Sequence, residues 1–166
     1  MKRWMFFLYG VSCHLLFLGL FAYMAGFVGD FMAGLGFDYL VPITINTTRE
    51  ESLTSAVFIN LVLLTLFAGQ HYIMARPAFK RVWTKIIPQP IERSTYVLIG
   101  ALVTILLMWQ WRGIETVVWD IQTPALRTAM WALFAIGWLM VPTVSLMIDH
   151  FDLFGTRQVW LYLTRR

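Results

Sequence analysis

The chain has 166 residues, of which 59% are hydrophobic and only 13% charged. A water-soluble domain is about half apolar and about a quarter charged, so this composition excludes one and places the chain in a bilayer. The net charge of +4 is modest, and the basic residues lie between apolar runs rather than in a stripe, which points to lipid headgroups and excludes nucleic acid as a partner.

The first apolar span is expected from Trp4 to Val28, behind Lys2 and Arg3. It is longer than the ~20 residues that a ~30 Å hydrocarbon core requires, and longer than a signal-peptide core. No Ala-x-Ala site follows it, so it reads as an uncleaved anchor. Ala22, Gly26 and Gly29 form a small-residue track suited to close contact. His14 lies inside the span, where an imidazole needs a partner on another helix. Cys13, the only cysteine, is expected to be a small packing residue.

Residues 29–52 carry Gly29, Gly34, Gly36 and Pro42, and their acids outnumber the single Arg49. They read as an outer loop whose apolar middle, FDYLVPITI, rests at the interface. The second span is expected from 53 to 75. Asn60 and His71 are almost three turns apart, so they share a stripe with Leu64 and Phe67. Lipid penalises such a polar stripe, which should therefore face other helices.

The connection that follows is the most basic in the chain: Arg76, Lys80, Arg81, Lys85 and Arg93 against Glu92 alone. A short Lys/Arg-rich loop is held in the cytoplasm. Pro88 and Pro90 close it, Ser94 or Thr95 reads as an N-cap, and a third span is expected over 94–111. Gly100 and Thr104 offer it a packing face, and Trp109 and Trp111 mark the outer interface. Thr123-Pro124 opens the fourth span, 124–149, with Pro142 inside it as the site of an expected kink. Asp149-His150-Phe151-Asp152 closes that span, and the tail 150–166 is interfacial and too short to cross.

The fold class expected is therefore all-α, with four transmembrane helices in one membrane domain and both termini cytoplasmic. Lys2, Arg3, Arg76, Lys80, Arg81, Lys85, Arg93, Arg157, Arg165 and Arg166 then lie inside, against Arg49, Arg112 and Arg127 outside. That distribution obeys the positive-inside bias.

Polar groups gather at the cytoplasmic helix ends. His71 and His150 are the candidate catalytic bases, and Gln70, Arg76, Glu92 and Arg93 are candidate substrate-binding residues. No metal site is expected, since HExxH and CxxC are absent. Walker, GxGxxG and GxSxG motifs are absent too. Two histidines at similar depth leave a bis-histidine haem geometrically open.

Three stretches carry a resemblance: GQHYIMARPAFKRVWTKIIPQPIERSTYVL, MWQW with VVWDI, and DHFDLFGTRQVWLYL. They resemble the N-terminal half of the methanethiol S-methyltransferases, bacterial inner-membrane enzymes of the isoprenylcysteine carboxyl methyltransferase superfamily. The resemblance implies S-adenosylmethionine as cofactor, a small thiol as substrate and dimethyl sulfide as product. It also implies a cofactor site built on an Arg-His-Pro-x-Tyr motif and a later glutamate pair. Neither is present before Arg166, and Glu50-Glu51 falls on the outer loop. The chain is therefore expected to be a truncated member that binds no cofactor alone. Two alternatives stand beside this: a non-catalytic four-helix protein acting with a partner membrane chain, and the related membrane proteins of nitrite and nitric oxide reduction.

Overall fold

Four helices carry the molecule: α1 (Lys2–Gly29), α2 (Leu53–Met74), α4 (Glu92–Gln110) and α5 (Pro124–Ile148). Each is long and apolar enough to cross a membrane. Three short helices join them, α3 (Pro77–Trp83), α6 (His150–Leu153) and α7 (Thr156–Thr164). The computed structural model describes residues 1–117 and 120–164. Val118 and Trp119 of the VVWDI stretch, and two charges assigned to the inside, Arg165 and Arg166, lie outside the described residues. Among the described residues there is no strand.

Helix α4 is the central element, packed on α1 along one side and on α2 along the other. Its buried face is Ser94, Val97, Gly100, Ala101, Thr104 and Met108, close to a repeat of three and four. Thr104 donates its hydroxyl to the Gly100 carbonyl at 2.8 Å, so it hides its polarity within its own helix. Helix α5 leans on α1 through aromatic side chains. Phe21 meets Trp138 at 4.9 Å between ring centres, and Phe31 meets Phe134 at 6.2 Å. Gly29 makes room there, since a Cβ on it would come within 3.0 Å of Phe134. The rest of the expected small-residue track serves a different neighbour. Gly26 receives the loop residue Val41, while Ala22 faces outward.

The loop between α1 and α2 does more than rest at an interface. Val41 is buried and forms a cluster with Phe27 and Met108, closing the far end of the α1–α4 pair. The carbonyls left open where α4 ends are taken by arginines: Arg49 donates to Trp109 at 2.6 Å and Arg112 to Gln110 at 2.7 Å. Trp111 donates its indole N–H to the Ile45 carbonyl. Asn60, buried in α2, grips Arg112 twice, accepting its backbone N–H at 2.9 Å and donating to its carbonyl at 2.7 Å.

Two local expectations are corrected. Helix α4 begins at Glu92, behind the turn Gln89–Ile91 that Pro90 initiates, so neither Ser94 nor Thr95 caps it. Ser94 is instead fully buried, and Thr95 bonds back to Ile91 and accepts from Tyr9. The polar stripe of α2 is flanked by Leu63, which is buried, and Leu64 faces outward. The tail is folded back on the bundle. Gly155, at φ 82°, turns the chain so that α7 lies along the first turns of α1. Val159 there is wholly buried against Gly10. Helix α1, at 28 residues, is about 42 Å long, some 12 Å beyond a ~30 Å core.

Candidate functional site: an apolar chamber beside His71

Between α1, α2 and α4 lies a cavity of about 160 Å³, walled mainly by Phe17, Phe21, Met24, Phe67, Tyr96 and Phe154. Gly100 forms its floor on α4. A Cβ on Gly100 would stand 3.6 Å from Nε2 of His71 and 3.7 Å from Oε1 of Gln70, so the missing side chain leaves room next to both atoms.

The tautomer of His71 follows from its partner. Its Nδ1 lies 2.9 Å from the Phe67 carbonyl, which only accepts. In the neutral ring Nδ1 therefore carries the hydrogen, and Nε2 holds a free lone pair. Phe67 also packs on the imidazole at 4.3 Å between ring centres, fixing its plane. Gln70 presents the complementary oddity, because its Oε1 is buried without a donor. Of these two neighbours of Gly100, His71 lines the apolar space and Gln70 does not.

The remaining predicted residues are not gathered there. Arg76 caps the start of α3 and lays its guanidinium over the Tyr72 ring at 4.0 Å. Glu92 faces Lys80 at 4.0 Å. Arg93 is taken by Asp152, at 2.6 Å to the carboxylate and 2.8 Å to the backbone carbonyl. Glu92 and Arg93 begin α4, eight and seven residues before Gly100, which is about 10–12 Å along the axis. His150 turns away from His71. Its Nε2 is 2.8 Å from Nε2 of His14, and its Nδ1 is 2.8 Å from the Ser145 hydroxyl. The bis-histidine arrangement of His71 and His150 is therefore not formed. His14 does find its partner on another helix, as a membrane-embedded imidazole must.

A second, more polar hollow of about 300 Å³ lies at the other end of α4, lined by Arg49, Glu51 and Arg112 among others. Three of its charges are engaged locally: Arg112 pairs with Glu51 at 2.7 Å, and Arg49 holds the α4 terminus. Neither hollow suits a large polar cofactor. The chamber offers no carboxylate, and its volume is well under the ~300 Å³ of a typical cofactor pocket. The residues present therefore do not fit S-adenosylmethionine.

No protein-family model matches the chain. No solved structure matches it either. Among curated proteins, it is 48% identical over 161 residues to a methanethiol S-methyltransferase of Mycobacterium tuberculosis, covering 97% of this chain and 63% of that one. It is 41% identical over 159 residues to a methanethiol S-methyltransferase of Crocosphaera subtropica, covering 96% and 59%. Nurim of Homo sapiens is 31% identical over 121 residues, 69% of this chain and 46% of Nurim. The chain spans about three fifths of the first two relatives' length, and over nearly all of its own length it belongs by sequence to the methanethiol S-methyltransferase family.

Proposed function

We propose that these 166 residues form the thiol-accepting membrane portion of an S-adenosylmethionine-dependent methyltransferase that makes dimethyl sulfide from methanethiol. The protein lies in the bacterial inner membrane with the Arg93 end of the bundle toward the cytoplasm, where the basic loop belongs. The residues that hold the cofactor are not among these 166.

The observation that carries the reading is the small apolar chamber into which one basic nitrogen points. A short alkyl thiol is compact and greasy, and its S–H is a weak donor. Seated against Nε2 of His71, it gives up its proton: the S–H bond breaks, an N–H bond forms, and a thiolate faces an imidazolium. The thiolate is the nucleophile that methylation needs. Arg93 does not share in this, because its guanidinium is held by Asp152.

Two measurements on the purified chain in nanodiscs test the reading. Short alkyl thiols should raise its thermal stability saturably, and replacing His71 by Leu should abolish the effect. S-adenosylmethionine should show no saturable heat of binding, and should gain one when the remaining segment of a close relative is supplied. Micromolar cofactor binding by the chain alone, or thiol protection that survives His71→Leu, overturns it.

A further inference from the structure

Behind the chamber wall, four polar side chains from four elements form one continuous file. Thr156 Oγ1 at the start of α7 lies 2.9 Å from His14 Nδ1 in α1. His14 Nε2 lies 2.8 Å from His150 Nε2 in α6, and His150 Nδ1 lies 2.8 Å from Ser145 Oγ in α5. The neighbouring charges are engaged elsewhere, Asp149 with Arg157 and Asp152 with Arg93. No carboxylate touches either imidazole. We infer that the file Thr156–His14–His150–Ser145 is a proton relay, with one mobile proton shared by the two imidazoles.

The hydrogen count requires it to have two senses. Two neutral imidazoles facing each other through Nε2 hold one hydrogen between them. When that hydrogen is on His150, His150 Nδ1 is bare and accepts from Ser145, while His14 Nδ1 carries a hydrogen and donates to Thr156. When it is on His14, every bond in the file runs the other way. Passing from the first sense to the second breaks the O–H of Ser145, the Nε2–H of His150 and the Nδ1–H of His14. It forms the Nδ1–H of His150, the Nε2–H of His14 and a new O–H on Thr156. Ser145 takes a proton from outside as Thr156 releases one, so a single proton crosses and no charge is left behind. Ser145 and Thr156, at the two ends of the file, are only partly buried, while His14 between them is buried.

The position gives the relay its use. Phe154 stacks on His14 at 4.9 Å and 10°, packs on Phe17 at 4.3 Å on its other side, and lines the chamber. A proton released within the chamber is therefore one aromatic ring from a path out of the apolar interior. That service rests on the thiol-methylation reading; the mobility of the proton does not.

The chain has only three histidines, so nitrogen-15 NMR of the histidine-labelled protein in nanodiscs resolves each. His71, fixed by the Phe67 carbonyl, is the internal reference for a ring with Nδ1–H. His14 and His150 should show complementary, exchange-averaged tautomers with a coupling across Nε2···Nε2. Ser145→Ala removes the acceptor for His150 Nδ1–H and should shift the hydrogen fully onto His150 Nε2, since an orphaned N–H costs more than a bare lone pair. Thr156→Val should shift it fully onto His14 Nε2, and Ser145→Thr and Thr156→Ser should restore averaging. A file with one fixed tautomer in the wild type, unmoved by both deletions, overturns the relay. The readout needs no enzymatic turnover, so it stands or falls separately from the methyltransferase reading.

Discussion

Gly100→Ala separates the stability of the bundle from the use of the chamber. The backbone at Gly100 is ordinary helix, and the added methyl would meet His71 and Gln70 at 3.6–3.7 Å, which is normal van der Waals contact. Alanine should therefore raise stability by about 0.8–1 kcal/mol, the difference in helix propensity. The same methyl stands over Nε2 of His71 and takes room from a space of only about 160 Å³. A thiol at ten times its Kd stabilises the wild type by about 1.4 kcal/mol, from RT ln 11. In the variant that gain should vanish. Thermal unfolding in nanodiscs, followed by tryptophan fluorescence with and without ethanethiol, reads both numbers. A variant less stable than the wild type refutes the packing argument. One that is equally protected by thiol refutes the placing of the thiol on His71.

Asn60→Leu should cost about 2–6 kcal/mol in a denaturant titration, because the backbone N–H and C=O of Arg112 both lose their buried partner, at about 1–3 kcal/mol each. Gly155→Ala should cost at least about 1–3 kcal/mol for its left-handed backbone alone. Its Cβ would also sit 2.6 Å from Ser94 Oγ and 2.7 Å from Ser94 N, so α7 should become open to limited proteolysis. Reporter fusions after Lys85 and after Arg166 should both report cytoplasm, and one at Phe37 the outside; disagreement between the first two rejects the four-span topology.

Length and apolarity made the four long helices legible almost to the residue, because a bilayer imposes both on any crossing segment. Gln70 and His71 were legible for a related reason: polar groups on an apolar helix must face inward. The helix start at Glu92 was not, since Ser94 has the chemistry of a cap but Pro90 starts the turn earlier. The pairing of His14 with His150 was further out of reach. Helix α1 is apolar nearly all round, so no periodicity says which face meets a partner 136 residues later. The grouping of Arg76, Glu92 and Arg93 with His71 was read from shared helix ends. Depth along α4 separates two of them, and local pairing engages all three.

The closure of α7 onto α1 sets an order of events at the ribosome. His14 and Thr156 are 142 residues apart, which at 5–20 residues per second is about 7–30 s of synthesis. Throughout that interval the first helix has been made while neither Thr156, His150 nor Val159 exists. Its groove at Gly10 stands empty, and its imidazole has nothing to bond within the apolar layer. An early anchor carrying an unpaired His14 is held more weakly than its hydropathy implies, and is free to slide or to rest against the insertion machinery. Docking of the last short helix then fixes the register of the first one.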